Sequence, residues 1–190
     1  MSDARQQLAE RRAGSAAGSG LLRKIPVPLR AATYYLSFLG LALVLLPLLA
    51  HRLAERWLPW HFELGPARIV GWALLAVSYL LYTISACVLI GRGRGAYVEF
   101  DPPQRFVATG PFALCRNPIA LGLLGMLLGE ALAFSSSGML LLFVLGVILA
   151  HLQVTLVEEP LLKRRFGQQY LDYLERVPRW LPRRPRRRPR

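Results

Sequence analysis

The residues able to do chemistry are concentrated in two polar segments of the chain. The first segment, Gly91–Pro118, ends in the run Arg116-Asn117-Pro118. Proline suits the first position of a helix, and asparagine suits the capping position before it. A helix N-terminus presents free N–H groups and partial positive charge, and a neighbouring arginine can hold a carboxylate with two N–H groups. Asn117 is therefore either a helix cap or, with Arg116, part of a carboxylate site.

The second polar segment begins inside an apolar stretch near the C-terminus. His151, Thr155 and Glu158 are spaced by four and three residues, so they share one face of an α-helix, which Glu159 borders. Two adjacent acids at a membrane boundary are costly unless a cation or a hydrogen-bond donor meets them. Either the basic run 163–165 supplies those cations, or the acids bind a ligand that has positive and hydrogen-bonding groups. Spacing alone leaves both interpretations open.

Other candidate sites are disfavoured by their context. None of the histidines or cysteines lies at structural-zinc spacing, so no metal site is predicted. The glycine-rich run 91–95 follows an apolar helix and not a strand, which argues against a dinucleotide-binding loop. Glu130 is a functional candidate because it is a charge in an apolar block. It lies one turn from a predicted hairpin turn, however, so we interpret it as an interfacial acid paired with Arg68.

The two polar segments are flanked by long stretches of uncharged residues, and the structure of these stretches determines where the polar segments lie. No residue between Arg30 and Arg52, or between Arg68 and Arg92, carries a formal charge, and the block 117–157 contains only one. About 20 apolar residues cross a bilayer as a helix, and lipid requires every backbone polar group to find an internal partner. Of the whole chain, 54% is hydrophobic and 18% charged. A soluble helical bundle would be left with little polar surface.

We therefore predict an all-α integral membrane bundle of about four transmembrane helices. The longest block has Ser-Ser-Ser-Gly near its middle, which predicts a C-terminal helical hairpin, Pro118–Phe134 and Met139–Val157. The net charge is +13, and alternating sides places 21 of the 24 lysines and arginines on one face of the membrane. Positive charge stays cytoplasmic. Both termini and the segment Gly91–Arg116 are therefore predicted to be cytoplasmic.

The ends of the chain differ in composition from its middle. Residues 1–30 are predicted to form a flexible cytoplasmic leader, residues 31–182 the membrane domain, and residues 183–190 a disordered arginine-rich tail. Arginines close to a bilayer are attracted to anionic lipid. We expect the partners to be the lipid bilayer, anionic lipid at the tail and a lipidic substrate, and we expect no nucleic acid.

The two polar segments together resemble the isoprenylcysteine carboxyl methyltransferase and phospholipid methyltransferase superfamily. The resemblance covers Gly91 to Pro182 and consists of short motifs in the family's order and spacing. They are Gly93-Arg-Gly95, Asp101-Pro-Pro103, Gly110-Pro-Phe112, Arg116-Asn-Pro118, Glu158-Glu159-Pro160, Phe166-Gly167, Tyr170, Tyr173 and Val177-Pro178-Arg179. The chain departs from the family pattern at Phe112 and Ala120, where family members have or often have tyrosine.

The resemblance implies a membrane methyltransferase that uses S-adenosyl-L-methionine. It implies that Arg116 and Asn117 hold the cofactor's carboxylate, and that Glu158 or Glu159 holds its amino group or ribose. Tyr170 or Tyr173 would close over the site, His151 would line the pocket, and Arg165 would orient the acceptor. The implied cofactor-binding set also includes Gly93, Gly95, Gly110 and Pro118, and the implied catalytic set is Arg165, Glu158 and His151.

The methyl acceptor is left open by the sequence. A lipidic carboxylate, as on an isoprenylcysteine, and a phospholipid amine both fit, and we favour the carboxylate because it is nucleophilic at neutral pH. One alternative function is an NADPH-dependent membrane reductase, since small sterol reductases resemble the C-terminal arrangement. Another is a non-catalytic membrane adaptor, which explains the arginine-rich tail but not the ordered motifs.

Overall fold

The structure, a computed structural model, describes residues 26–57, 62–93 and 104–182. Within these ranges the chain forms helices and connecting loops, and no described residue is in a strand. The predicted all-α fold is confirmed. Gly95, the Asp101-Pro-Pro103 motif, most of the leader and the tail 183–190 lie outside the described residues.

Seven α-helices follow one another along the described residues, and several are continuous across π-helical or tight turns. The first rod is α1 (Val27–Gly40), a π-helical segment (Leu41–Leu45) and α2 (Leu46–Trp57). A 3₁₀ turn (Gly65–Ala67) leads into α3 (Arg68–Gly93). After the 3₁₀ helix Gly110–Ala113 come α4 (Pro118–Phe134), α5 (Ser137–Leu152), a π-helical segment (Gln153–Glu158), α6 (Glu159–Phe166) and α7 (Gln168–Arg176).

The lengths of these rods suit a bilayer. Three are long and apolar enough to cross a membrane, namely Ala31–Ala54, Gly65–Gly93 and Ser137–Phe166, while α4 is apolar and 17 residues long. A helix of that length rises roughly 26 Å, the short end of what spans a hydrocarbon core. Large apolar side chains such as Leu36 and Leu80 are more than half exposed. A soluble bundle would present these surfaces to water.

The hairpin differs from its predicted bounds. The turn consists of Ser135, which adopts a left-handed φ of 51°, and Ser136, whose hydroxyl accepts from the Met139 backbone N–H at 3.3 Å. Helix α5 therefore begins at Ser137 and not at Met139. The rod also continues through α6 to Phe166, beyond the predicted end at Val157. Pro160 does not end it, because this proline lies in the first turn of α6, directly after the π-helical segment, where proline is tolerated.

Close packing of α3 against α4 sets the ends of the bundle. A Cβ added to Gly122 would lie 2.9 Å from the Tyr82 backbone nitrogen, and one added to Gly129 would lie 2.7 Å from that of Leu75. Small residues allow helix backbones to approach this closely. In a membrane such packing drives helix association, because the hydrophobic effect does not act between helices there. The two contacts run in opposite directions along the chain, so the helices are antiparallel. The C-terminal end of α3 therefore lies beside the N-terminal end of α4.

The opposite end of the bundle is closed by polar contacts. His51 Nδ1 and the Ser136 hydroxyl are 2.9 Å apart, and Arg68 Nε donates to the Ser135 hydroxyl at 3.0 Å. The predicted pairing of Arg68 with an interfacial Glu130 is therefore wrong. Glu130 is only 6% exposed, and among the described residues its Oε2 has no hydrogen-bond partner. The reason is that α4 packs between α3 and α5, which leaves this part of the helix no exposed face.

Candidate functional site

The described part of the loop between α3 and α4, residues 104–117, is held at both ends by hydrogen bonds. At its start the backbone N–H groups of Gln104 and Arg105 donate to the Gly93 carbonyl, at 2.7 and 3.0 Å. Its 3₁₀ helix begins at Gly110, whose φ of +63° is a conformation that favours glycine. The loop ends at Arg116, directly before α4. Arg116 is thereby presented at the end of the bundle where α3 finishes and α4 starts.

An aromatic cluster fastens this loop to the C-terminal helix. Tyr170, Tyr173 and Val177 face inward at helical spacing and are buried. The Phe106 ring lies 5.9 Å from the Tyr170 ring and 5.1 Å from the Tyr173 ring, both edge-to-face. The Tyr173 hydroxyl donates to the Phe112 carbonyl at 2.6 Å. The substitution of phenylalanine at position 112 leaves this contact possible, because the acceptor is a backbone oxygen.

Burial keeps both tyrosine hydroxyls protonated at neutral pH. Burial, with a contribution from the Glu159 carboxylate, raises the pKa of Tyr170 to about 12. The pKa of Tyr173 is also raised, mainly because the ring is buried. The Tyr173 hydroxyl already donates its proton to a carbonyl of the loop, so the role of Tyr173 is to hold the loop in position. The Arg116 guanidinium lies close enough to Tyr170 to offset part of the rise in the pKa of that tyrosine.

A carboxylate between two guanidinium groups forms the centre of the candidate site. Arg116 Nη1 donates to Glu159 Oε1 at 2.9 Å. Arg179 donates to the same carboxylate with two atoms, Nε to Oε1 at 2.7 Å and Nη2 to Oε2 at 3.1 Å. The Glu159 side chain is 8% exposed, and those of Arg116 and Arg179 are 14% and 33% exposed. The three charges sum to +1, so the cluster attracts an additional anionic group.

The π-helical segment explains why Glu159, and not Glu158, occupies this centre. An α-helix from His151 would have placed Glu158 on the face of His151 and Thr155. In a π-helix the backbone hydrogen bonds join residues five apart, so each turn contains more residues than a turn of an α-helix. Val154 and Glu159, five apart, are both buried, whereas Glu158 is half-buried. The π-helical segment thus turns Glu159, the second acid of the pair, toward the loop.

Asn117 occupies the capping position of α4 but does not cap it with its side chain. Its Nδ2 donates instead to the Arg179 carbonyl at 3.0 Å, and the backbone N–H of Arg116 donates to the Pro178 carbonyl at 2.8 Å. The interpretation of Asn117 as a side-chain cap is therefore wrong. The physical reason is that the C-terminal segment supplies a carbonyl within reach, and the amide group of Asn117 is a donor to it.

The remaining predicted site residues lie around this centre or outside the described residues. Pro118 is buried as the first residue of α4, and Gly110 is exposed at the start of the 3₁₀ helix. His151 is exposed, and the Trp180 indole N–H donates to its Nδ1 at 3.4 Å. Arg165 is exposed, with its guanidinium 5.5 Å from the centre of the adjacent Phe166 ring. The structure joins Arg116 to Glu159 directly, links Asn117 to them through Arg179, and places Tyr170 beside Arg116 and Glu159. It brings His151 to the C-terminal segment and not to the ionic centre.

Sequence reasoning missed Arg179, Trp180 and Phe106 as residues of the site. Arg179 belongs to a motif of the resemblance that implies no role for it. The sequence leaves open whether the basic run 163–165 supplies cations to the two acids, and in the structure Lys163, Arg164 and Arg165 are exposed. The sequence contains one usable signal, because a buried acid needs a cation and Arg179 follows the proline of a turn, Pro178. Only folding shows that this turn returns to α4.

An apolar cleft of about 140 Å³ lies beside the ionic centre. It is lined by residues of α3, the loop, α4 and the C-terminal segment, namely Leu81, Pro111, Leu114, Cys115, Pro118, Leu121 and Pro182. Cys115 is 1% exposed, and burial raises its pKa, so it is a neutral thiol at neutral pH. Among the described residues, no three His, Cys, Asp or Glu side chains are grouped to hold a metal ion.

Comparison with known proteins gives one match. The sequence model of the phospholipid methyltransferase family matches residues 66–169, a range that includes α3, α4, the loop between them, and Glu158 with Glu159. Searches of curated proteins and of solved structures found no significant match. Because the matched residues make up more than half of the chain, this multi-pass membrane protein belongs to the phospholipid methyltransferase family.

Proposed function

We propose that this protein transfers the methyl group of S-adenosyl-L-methionine to a lipidic acceptor in the membrane. The observation that carries the proposal is the joining of Arg116, Asn117, Glu159 and Tyr170 into one cluster. These residues come from two segments more than 40 positions apart, and the resemblance assigned them to one cofactor. The family match favours methyl transfer over a reductase or an adaptor.

The residues present fit this cofactor in one specific respect. Arg116 Nε is buried and has no hydrogen-bond partner among the described residues. A buried unsatisfied donor is costly, and a carboxylate oxygen would satisfy it. The positive charge of the Arg116 guanidinium favours the same anionic group. Arg116 and Asn117 would thus hold the cofactor's carboxylate, and Glu158 or Glu159 its amino group or ribose.

For methyl transfer, the main task of the protein is to align the methyl donor with the acceptor. The cofactor supplies an activated methyl group with a good leaving group. The protein has to hold donor and acceptor in line and keep water away, and alignment alone is worth roughly 7–11 kcal/mol. Tyr170, protonated and buried, presents a hydroxyl at the centre of the site. His151 and Glu158 are the candidate bases, and Arg165 the candidate for orienting the acceptor.

The acceptor is proposed to enter sideways from the bilayer. The apolar cleft adjoins Arg116 through Cys115 and Pro118 and has an entirely apolar lining, which suits a hydrocarbon chain. We favour an acceptor that is already nucleophilic, such as a lipidic carboxylate, over a phospholipid amine. An alkylammonium must lose a proton first, and the Glu159 carboxylate is already occupied by two arginines.

The cofactor assignment is tested with two variants and two matched controls. Glu159→Gln and Arg116→Gln should each weaken binding of S-adenosylhomocysteine in micelles, because each leaves a polar group unpaired in a dry site, typically at about 1–3 kcal/mol. Glu175→Gln and Arg176→Gln make the same charge changes on exposed positions of α7 and should bind as wild type. Calorimetry gives the affinities, and circular dichroism confirms that each variant is folded. Wild-type protein that gives no heat at millimolar cofactor would refute the proposal.

The acceptor class is tested by methyl transfer to lipidic acids, thiols and amines between about pH 6 and 9. A carboxylate has lost its proton throughout this range, so its methylation rate should be nearly independent of pH. The amine rate should rise with pH wherever amine is methylated at all. An amine as the single working substrate, with a rate that climbs steeply with pH, would contradict the preference for a carboxylate.

The proposed orientation has both termini and the candidate site in the cytoplasm. Glu63 is exposed next to Leu64, whose N–H reaches Ser135 of the hairpin turn, and Gln169 is exposed on α7 near the site. In a background of Cys87→Ala and Cys115→Ala, we expect Glu63→Cys and Gln169→Cys to react with an impermeant maleimide from opposite sides of the membrane. Reaction from the same side would contradict the topology.

A further inference from the structure

The segment that follows α7 contacts the end of the loop before α4, as well as α5 and α6. We name residues 177–182 the C-terminal strap. Its carbonyls at Pro178 and Arg179 accept hydrogen bonds from the start of α4, and its Arg179 side chain pairs with Glu159 of α6. Its Trp180 indole donates to His151 of α5. The strap lies beyond the residues that the family model matches, so its role does not come from that match.

The Arg179 side chain occupies the part of Glu159 that a cationic ligand group requires. A carboxylate has about four lone-pair sites on two oxygens. One N–H of Arg116 and two of Arg179 already fill three of these sites, and Arg179 contacts both oxygens. The carboxylate is also 8% exposed, so a ligand ammonium group cannot approach it from bulk solvent while Arg179 remains paired.

Electrostatic repulsion disfavours the simultaneous presence of Arg179 and the cofactor's ammonium group at Glu159. With Arg179 in place the cluster carries a net charge of +1, and the proposed cofactor adds an ammonium and a sulfonium against one carboxylate. Like charges within a few ångströms disfavour one another strongly in a partly buried site. Removal of Arg179 would leave Arg116 and Glu159 as a neutral pair. That pair could then hold a carboxylate and an ammonium group at the same time.

We propose that the C-terminal strap is a latch on the site, and that Arg179 and the ammonium group of the cofactor compete for Glu159. The proposal rests on the proposed function for the identity of the ligand. Arg179 is suited to release because its side chain is 33% exposed, against 8% for Glu159. Arg179 is thus the mobile partner of the pair and Arg116 the fixed one, since Arg116 lies two residues before α4 and the neighbouring Asn117 carbonyl accepts a hydrogen bond from the Leu121 N–H of that helix at 2.9 Å.

The first test needs no cofactor. Cys115 is 1% exposed and shares the apolar cleft with Pro182, the last residue of the strap, so an open strap should expose it. In a Cys87→Ala background, Arg179→Gln should raise the rate of Cys115 alkylation by about tenfold, which corresponds to a shift of that size in the open population. Arg176→Gln removes the same charge from an exposed position three residues earlier and should leave the rate unchanged.

The second test measures competition. Arg179→Gln should bind S-adenosylhomocysteine about tenfold more tightly than wild type, because the fraction of competent protein limits the apparent affinity. Arg179→Lys keeps the charge but lacks the fork that spans both oxygens, so it should fall between the two and guards against a misfolded glutamine variant. Unchanged or weaker binding by both variants overturns the proposal, as does an unchanged alkylation rate. If no protein binds the cofactor, the proposed function fails, and the alkylation rates alone decide whether Arg179 closes the strap.

Discussion

A buried carboxylate that needs cations holds the candidate site together. Glu159 is 8% exposed at the end of a long apolar rod, and its charge would be very costly there without partners. Its two partners come from opposite directions in the chain, Arg116 from the loop before α4 and Arg179 from the strap after α7. The ion pairs of Glu159 with Arg116 and Arg179 therefore hold three separate segments together at one end of the bundle. The same contacts set the cluster's net charge of +1.

The close contact of α3 with α4 makes that arrangement possible. The glycines at positions 71, 122 and 129 place no side chain between the two helices, so the backbones of α3 and α4 are in close contact at each of these positions. The end of α3 is then beside the start of α4. The aromatic cluster around Phe106 and Tyr173 fastens the loop between these two helices to α7. Lipid-facing helices therefore position a polar site without contributing polar residues along their spans.

The sequence predicted the helices well because long uncharged blocks leave the backbone no other form in lipid. It also identified Arg116, Asn117 and Glu159, since acids and arginines at membrane boundaries are rare enough to be noticed. It failed wherever a tertiary contact overrides a local pattern. The π-helical segment rotates Glu159 inward against the α-helical period, the strap draws the Asn117 side chain away from capping, and packing on several sides buries Glu130. Arg179 was missed because its partner is 20 residues away.

The central claim is that the residues around Glu159 form the cofactor site. Ultraviolet irradiation of protein bound to S-adenosylmethionine labelled in its methyl group, followed by peptide mapping, tests it most directly. The account predicts that the label attaches within residues 104–118 or 158–180, the segments that hold Arg116, Glu159 and Tyr170, and that excess S-adenosylhomocysteine prevents it. Label confined to the first rod, Val27–Trp57, or label that S-adenosylhomocysteine does not displace, would contradict the claim.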